Sequence, residues 1–149
     1  MIIQPGKQFI NWFYEEDQKR TLLLQPKYQR NPIWSAGQKC FLIDSIISDC
    51  PIPQVYLNVL TTGAGPSRRT LYEVVDGQQR LRAILEYMRD EYALVPLTSS
   101  AYPVSPIYAN AVGRKYSQLP SEYQDKVWNY PLAVQELRGF SDKQIRDMF

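Results

Sequence analysis

The sequence predicts an α+β fold built on a small mixed or mainly antiparallel sheet with surrounding helices. Helical and strand periodicities are interleaved along the chain, and an alternating segment, 54–60, and an apolar-leaning one, 71–75, are separated by a turn-rich stretch that suits a hairpin. The length of 149 residues fits one ordinary domain, large enough to bury about 70% of the surface its unfolded chain exposes.

Residues 6–17 read as a first helix, with Phe9, Ile10 and Phe13 on one side. Residues 21–24 form a short extended segment. Pro26 and Pro32 then bracket Lys27-Tyr28-Gln29-Arg30-Asn31. A residue before proline avoids the helical region, so this is a stiff loop presenting Tyr28, Gln29 and Arg30. Ser35 and Gln38 have the spacing of a capping box. The helix they open is expected to reach about Ser48, with Phe41, Leu42, Ile43, Ile46 and Ile47 as its apolar set, and Cys50-Pro51-Ile52-Pro53 stops it. Segment 54–60 puts Val55, Leu57 and Val59 on one face of a strand. A Gly/Pro/Ser loop, 61–70, carries Arg68 and Arg69 to the next strand, 71–75.

A helix then runs to about Asp90 with Leu81, Ile84, Leu85 and Met88 on its apolar face. Residues 92–95 read as a short strand, and 96–106 as turns. A helix opens near Leu119-Pro120 and ends near Trp128. Residues 130–137 alternate as a strand with Leu132, Val134 and then Glu136 in phase. Ser141 and Gln144 open a last capped helix showing Ile145, Met148 and Phe149 on one side. It has about two turns and no stop signal, and isolated helices of that length are marginal. A fragment of a longer protein is expected, the alternative being a natural terminus docked on the core.

The composition narrows the chemistry. Hydrophobic residues make up 44% and charged residues 21%, as in soluble globular proteins. No apolar run approaches the roughly 20 residues that cross a bilayer, and Met1-Ile2-Ile3-Gln4-Pro5 lacks the features of a signal peptide. A cytoplasmic protein with no membrane partner is expected. The net charge of +2 demands a local patch for any nucleic-acid contact. Cys40 and Cys50 are too far apart for C-x-x-C chemistry and are expected as reduced thiols. Histidine is absent, which removes Ser-His-Asp and Cys-His catalysis and HExxH zinc sites.

Val74-Val75-Asp76-Gly77-Gln78-Gln79-Arg80-Leu81 concentrates polar groups at a strand-to-helix turn. Helix starts have unsatisfied N–H groups and favour anions. One reading makes Asp76 the helix cap with Gln79 as its partner, Gly77 a tight turn and Arg80 a solvated cation. It leaves two amides and an arginine in the first turn without explanation, because acids are preferred there. The other reading brings a phosphate to the turn. Tyr28, Gln29, Arg30 and Trp34 likewise read either as a stiff surface loop or as a second donor and stacking set. Arg68 and Arg69 are either solvated or contact nucleic-acid backbone.

Pro26-x-Tyr28-Gln29-Arg30-Asn31-x-x-Trp34, Leu42-Ile43-Asp44-Ser45-Ile46-Ile47, Pro51-Ile52-Pro53 and Val75-Asp76-Gly77-Gln78-Gln79-Arg80-Leu81 together resemble the N-terminal domain of GmrSD-type modification-dependent restriction enzymes, and related phage-defence proteins that share the DGQQR motif. The later Leu119-Pro120-x-x-Tyr123, segment 130–137 and Ile145-Arg146-Asp147-Met148-Phe149 fit the same pattern, so the resemblance covers the chain from about residue 21 onward. It implies a ParB/sulfiredoxin-like fold, nucleoside triphosphate binding and hydrolysis at the DGQQR segment, and a separate C-terminal nuclease domain or partner subunit that cuts DNA. The family pattern continues beyond the final phenylalanine into a motif with arginine and asparagine, which this chain does not contain.

On this reading Gly77, Arg80, Tyr28, Gln29, Arg30 and Trp34 hold the nucleotide. Asp76, Gln78, Gln79 and Arg80 are the candidate catalytic groups, with Asp76 holding Mg²⁺ through water. Arg68 and Arg69 are the candidate DNA contacts. The alternatives are a non-enzymatic DNA-binding or adaptor module and, ranked last for want of an acid cluster, a nuclease.

Overall fold

The computed structural model describes residues 1–24, 33–97 and 105–149. Within them run β1 (Ile2–Phe9), α1 (Ile10–Gln18), β2 (Leu22–Leu23), α2 (Ala36–Ile47), β3 (Val55–Thr62), β4 (Arg69–Asp76), α3 (Gln78–Met88), α4 (Ser121–Trp128), β5 (Pro131–Arg138) and α5 (Asp142–Met148). The strands form one mixed sheet in the order β1-β5-β3-β4-β2, and the fold is α+β as the interleaved periodicities predict. The chain divides into two compact units. Met1–Asn31, Pro53–Gln78 and Pro131–Phe149 make the first, Pro32–Ile52 and Gln79–Tyr130 the second.

The sheet belongs to the first unit. β3 and β4 are the expected hairpin, antiparallel from Leu57↔Val74 to Thr62↔Arg69. β5 lies parallel to β3, with Val55 beside Val134. Val55, Leu57, Val59, Val74, Leu132 and Val134 are buried, so the alternation seen in the sequence identifies a buried face. The ring of Trp12 on α1 stands edge-on to Tyr72 at 4.7 Å. On the opposite face Ile145 of α5 packs with Val75 and Leu137, and Phe149 meets Tyr56 edge-on at 4.9 Å. These contacts give α5 the tertiary support that a helix this short needs.

Residues 6–9, predicted as the start of a helix, belong instead to β1. The helical spacing of Ile10 and Phe13 holds from Ile10 onward, where α1 buries both. Strand wins at 6–9 because the backbone ladder with β5 runs from Ile2↔Arg138 to Phe9↔Pro131. That partner lies far along the chain, and local periodicity carries no trace of it.

In the second unit Ser35 caps α2 as expected: its hydroxyl accepts from the Gln38 N–H, and its own N–H donates to the Gln38 side chain. Leu81, Ile84, Leu85 and Met88 are all buried on α3. Residues 92–95 form no strand. Leu94 instead exchanges two backbone hydrogen bonds with residues 113–114, its N–H reaching Arg114 O at 3.1 Å and its carbonyl accepting from Gly113 at 2.7 Å.

Three helices stop at a non-glycine residue in the left-handed region. Arg20, Asp49 and Asp90 follow α1, α2 and α3 with φ of 63°, 58° and 60°. Each pairs back in the same way: Asp90 N–H bonds Tyr87 O, and Glu91 N–H bonds Glu86 O. This is the Schellman arrangement, reached here at the steric cost that a side chain meets in the left-handed region.

Candidate functional site

The Asp76–Arg80 segment is a strand, a one-residue turn and a helix start. β4 ends at Asp76, Gly77 has φ of 99° and α3 begins at Gln78. A side chain at Gly77 would be strained in that conformation. The cap position therefore falls on Gly77, and Asp76 is the last strand residue, opposite Tyr56. Val75 is an extra residue in the ladder, because Leu57 pairs with Val74 and Tyr56 with Asp76. Such a bulge bends the strand and re-aims the residue that follows it. The first turn of α3 contains no acid, so an arginine does occupy the positive end of an 11-residue helix.

In the first unit Asp76 is half-buried and Gly77 is buried. Gln78 is 4% exposed and its Nε2 donates to Val74 O at 2.8 Å. That bond ties the helix start back to the strand, so this amide nitrogen serves the turn itself. In the second unit Gln79 is 9% exposed, and its Oε1 accepts a long hydrogen bond from the Trp34 N–H at 3.5 Å. Trp34 and Arg80 are half-buried. Oε1 of Gln78 and Nε of Arg80 are buried atoms, and both residues have further contacts. Solvent reaches the segment mainly at Asp76 and Arg80.

The structure thus brings Trp34 to Gln79, two residues that the sequence assigns to separate motifs. It does not bring Arg68 and Arg69 to the turn. Arg69 begins β4 and Asp76 ends it, a separation of about 23 Å at the usual rise per strand residue. Both arginines are exposed at the tip of the β3–β4 hairpin. Tyr28, Gln29 and Arg30 lie outside the described residues. Among the described residues there is no group of three or more His, Cys, Asp or Glu that could hold a metal ion. A single carboxylate at Asp76 suits Mg²⁺ that arrives with phosphates and keeps most of its water. No helix among the described residues is long and apolar enough to cross a membrane.

No curated protein matches the chain, and no solved structure matches it. The family comparison is positive over nearly the whole length. It begins at Ile10, the first residue of α1, and takes in every later element but the last residue of α5. Residues 10–147 match the model of the N-terminal domain of GmrSD restriction endonuclease, and the chain belongs to that family of restriction-system proteins.

Proposed function

We propose that this domain binds a nucleoside triphosphate at the turn formed by residues 76–80. In a larger restriction protein that binding licenses DNA cleavage by a C-terminal nuclease domain or partner subunit. The observation that carries the reading is the cation in an acid-free first turn, directly after a glycine held at φ of 99°. A helix start favours anions and disfavours Arg80, and a polyphosphate reverses that balance. Asp76 holds the Mg²⁺ of the bound nucleotide through water, and Arg80 offsets phosphate charge. Gln78 keeps the helix start tied to β4, and Gln79 positions Trp34 for stacking on the base. Tyr28, Gln29 and Arg30 complete the donor set, and a ParB/sulfiredoxin-like arrangement belongs to the same proposal.

Calorimetry with Mg²⁺ and ATP, GTP or CTP tests it. Saturable binding of at least one nucleotide is expected. Arg80→Ala weakens it by about tenfold or more, the scale of a lost charge-assisted hydrogen bond, and Arg80→Lys recovers part of it. Gly77→Ala, which forces the turn out of its left-handed conformation, has a loss of the same order. Circular dichroism and melting curves identify variants that fail to fold. Heat from none of the three nucleotides, or unchanged affinity in folded Arg80→Ala, ends the reading. The competing adaptor reading requires DNA binding that nucleotide does not change.

A further inference from the structure

The geometry points to the β3–β4 hairpin tip as a ribbon that inserts into a groove of duplex DNA, with Arg68 and Arg69 reaching the phosphates on its two walls and Arg20 flanking them. The inference rests on the family's place in a restriction system and stands apart from the nucleotide site at the other end of β4.

Between Cys50 and Tyr72 the chain has no acidic residue. Every residue from Thr61 to Thr70 is exposed, so the last pairs of the ladder, Thr61↔Thr70 and Thr62↔Arg69, project as a two-stranded ribbon. Its polar side chains are two guanidinium groups and the hydroxyls of Thr61, Thr62, Ser67 and Thr70, beside the small apolar groups of Ala64 and Pro66. The tip is also built to one shape. Gly63 has φ of 76°, and a Cβ there would lie 2.3 Å from Ser67 O. A 3₁₀ turn, Gly65–Ser67, closes the loop with Ser67 N–H on Ala64 O and Arg68 N–H on Gly65 O, both at 3.1 Å. Arg68 is extended, with φ of −67° and ψ of 129°, and Arg69 begins the strand. Successive side chains in extended chain point to opposite faces, so the ribbon carries one arginine on each face. A flat surface would engage one of them. A groove lined on both sides by phosphates engages both, and the major groove, about 12 Å wide, admits a two-stranded ribbon.

Arg20 adds a third cation at this end of the sheet. β2 runs parallel to β4 with Leu22 beside Tyr72, and the Tyr72 N–H donates to Thr21 O at 2.8 Å. Arg20, exposed at the left-handed stop of α1, is the residue before Thr21 and so lies beside this part of β4. Of the acids on α1, Glu16 already meets Lys19 at 3.5 Å and the Thr21 hydroxyl.

The test is fluorescence anisotropy of the 149-residue chain with a labelled 20-base-pair duplex across a salt series, with and without Mg²⁺–ATP. The wild type is expected to bind in both conditions. Arg68→Ala/Arg69→Ala is expected to weaken binding by about tenfold or more and to make the log affinity versus log salt slope shallower by about 1.8, at roughly 0.9 per phosphate contact. Arg20→Ala gives a smaller change in the same direction. Lys7→Ala, which removes one exposed charge at the far end of the sheet, leaves binding within about twofold. Absence of DNA binding by the wild type, a double variant with the wild-type slope, or equal losses in Lys7→Ala and the double variant would each overturn the inference. Tighter binding to a single-stranded oligonucleotide than to duplex would overturn it as well. Because the comparison is made without nucleotide too, it fails or succeeds independently of the Arg80 titrations.

Discussion

Asp44 on α2 and Glu73 on β4 are both buried carboxylates, 3% and 2% exposed, in different units and in different company. Asp44 takes the Ser48 hydroxyl at 3.1 Å, the Ser105 hydroxyl at 2.6 Å and the Ser105 N–H at 3.3 Å. It fastens α2 to the start of the 3₁₀ turn Pro106–Asn110, where no ladder holds the backbone. Tyrosines do similar work in that unit. Tyr87 donates to Arg114 O at 3.1 Å, Tyr92 to Ala83 O at 2.6 Å, and Tyr130 to Cys50 O. Burial pushes the Tyr87 and Tyr92 hydroxyls well above the ordinary phenol value, so they remain protonated donors. Glu73 sits inside the β3–β4 ladder beside Asn58, whose Nδ2 donates to its Oε1 at 3.1 Å. The Oδ1 of Asn58 is buried without a partner among the described residues. In the second unit polar side chains replace backbone pairing. In the first the backbone is already paired, and a polar pair is tolerated within it.

The largest expected effect follows from Asp44. Asp44→Ala leaves the half-buried Ser105 N–H and two hydroxyls without their acceptor, at a cost of about 2–4 kcal/mol. Urea unfolding measures it, and a loss below that of a surface substitution would remove Asp44 as the fastener. Asn58→Ala is expected to cost about 1–2 kcal/mol, because it removes one hydrogen bond and one orphaned acceptor together. If Asn58→Ala proves as damaging as Asp44→Ala, the contrast between the units fails, and the Asn58–Glu73 pair organises its surroundings as strongly as Asp44 does.

What the sequence makes legible follows the same division. Strands β3 and β5 declare themselves by alternation, β4 by its apolar-leaning run, and α2 and α5 by reciprocal Ser–Gln caps, because those signals are local. The pairing of β1 is written in β5, and both faces of β1 are largely exposed, so no period-2 pattern marks it. The stops at Arg20, Asp49 and Asp90 carry no glycine and leave no mark. In the candidate site, the turn at Gly77 is legible from the dipeptide and the helix periodicity after it. The inward course of Gln78 is not, since an amide that bonds a carbonyl four residues back looks the same in sequence as one that awaits a ligand. The two arginines of the tip are visible in the sequence, but their display on opposite faces depends on where the 3₁₀ turn ends and the ladder begins.

The smallest effect concerns Asp90, where the second unit again uses a carboxylate to hold irregular backbone. Its Oδ1 accepts the Ser117 N–H at 2.9 Å, and the Ser117 backbone and side-chain hydrogen bonds hold the carboxyl below its usual value. A carboxyl with a lower pKa folded than unfolded stabilises the fold above the unfolded value of about 3.9. That contribution fades as pH falls through the folded value. Asp90→Asn keeps a residue tolerant of the left-handed conformation at φ of 60° and keeps a neutral acceptor for Ser117. The wild type is expected to melt higher than Asp90→Asn at pH 7, by less than about 2 °C for a chain of this size, and the gap closes below about pH 4. A gap of equal size at pH 3 and pH 7 would mean that the charge of Asp90 contributes nothing, leaving the backbone pairing of Asp90 and Glu91 to end α3 alone.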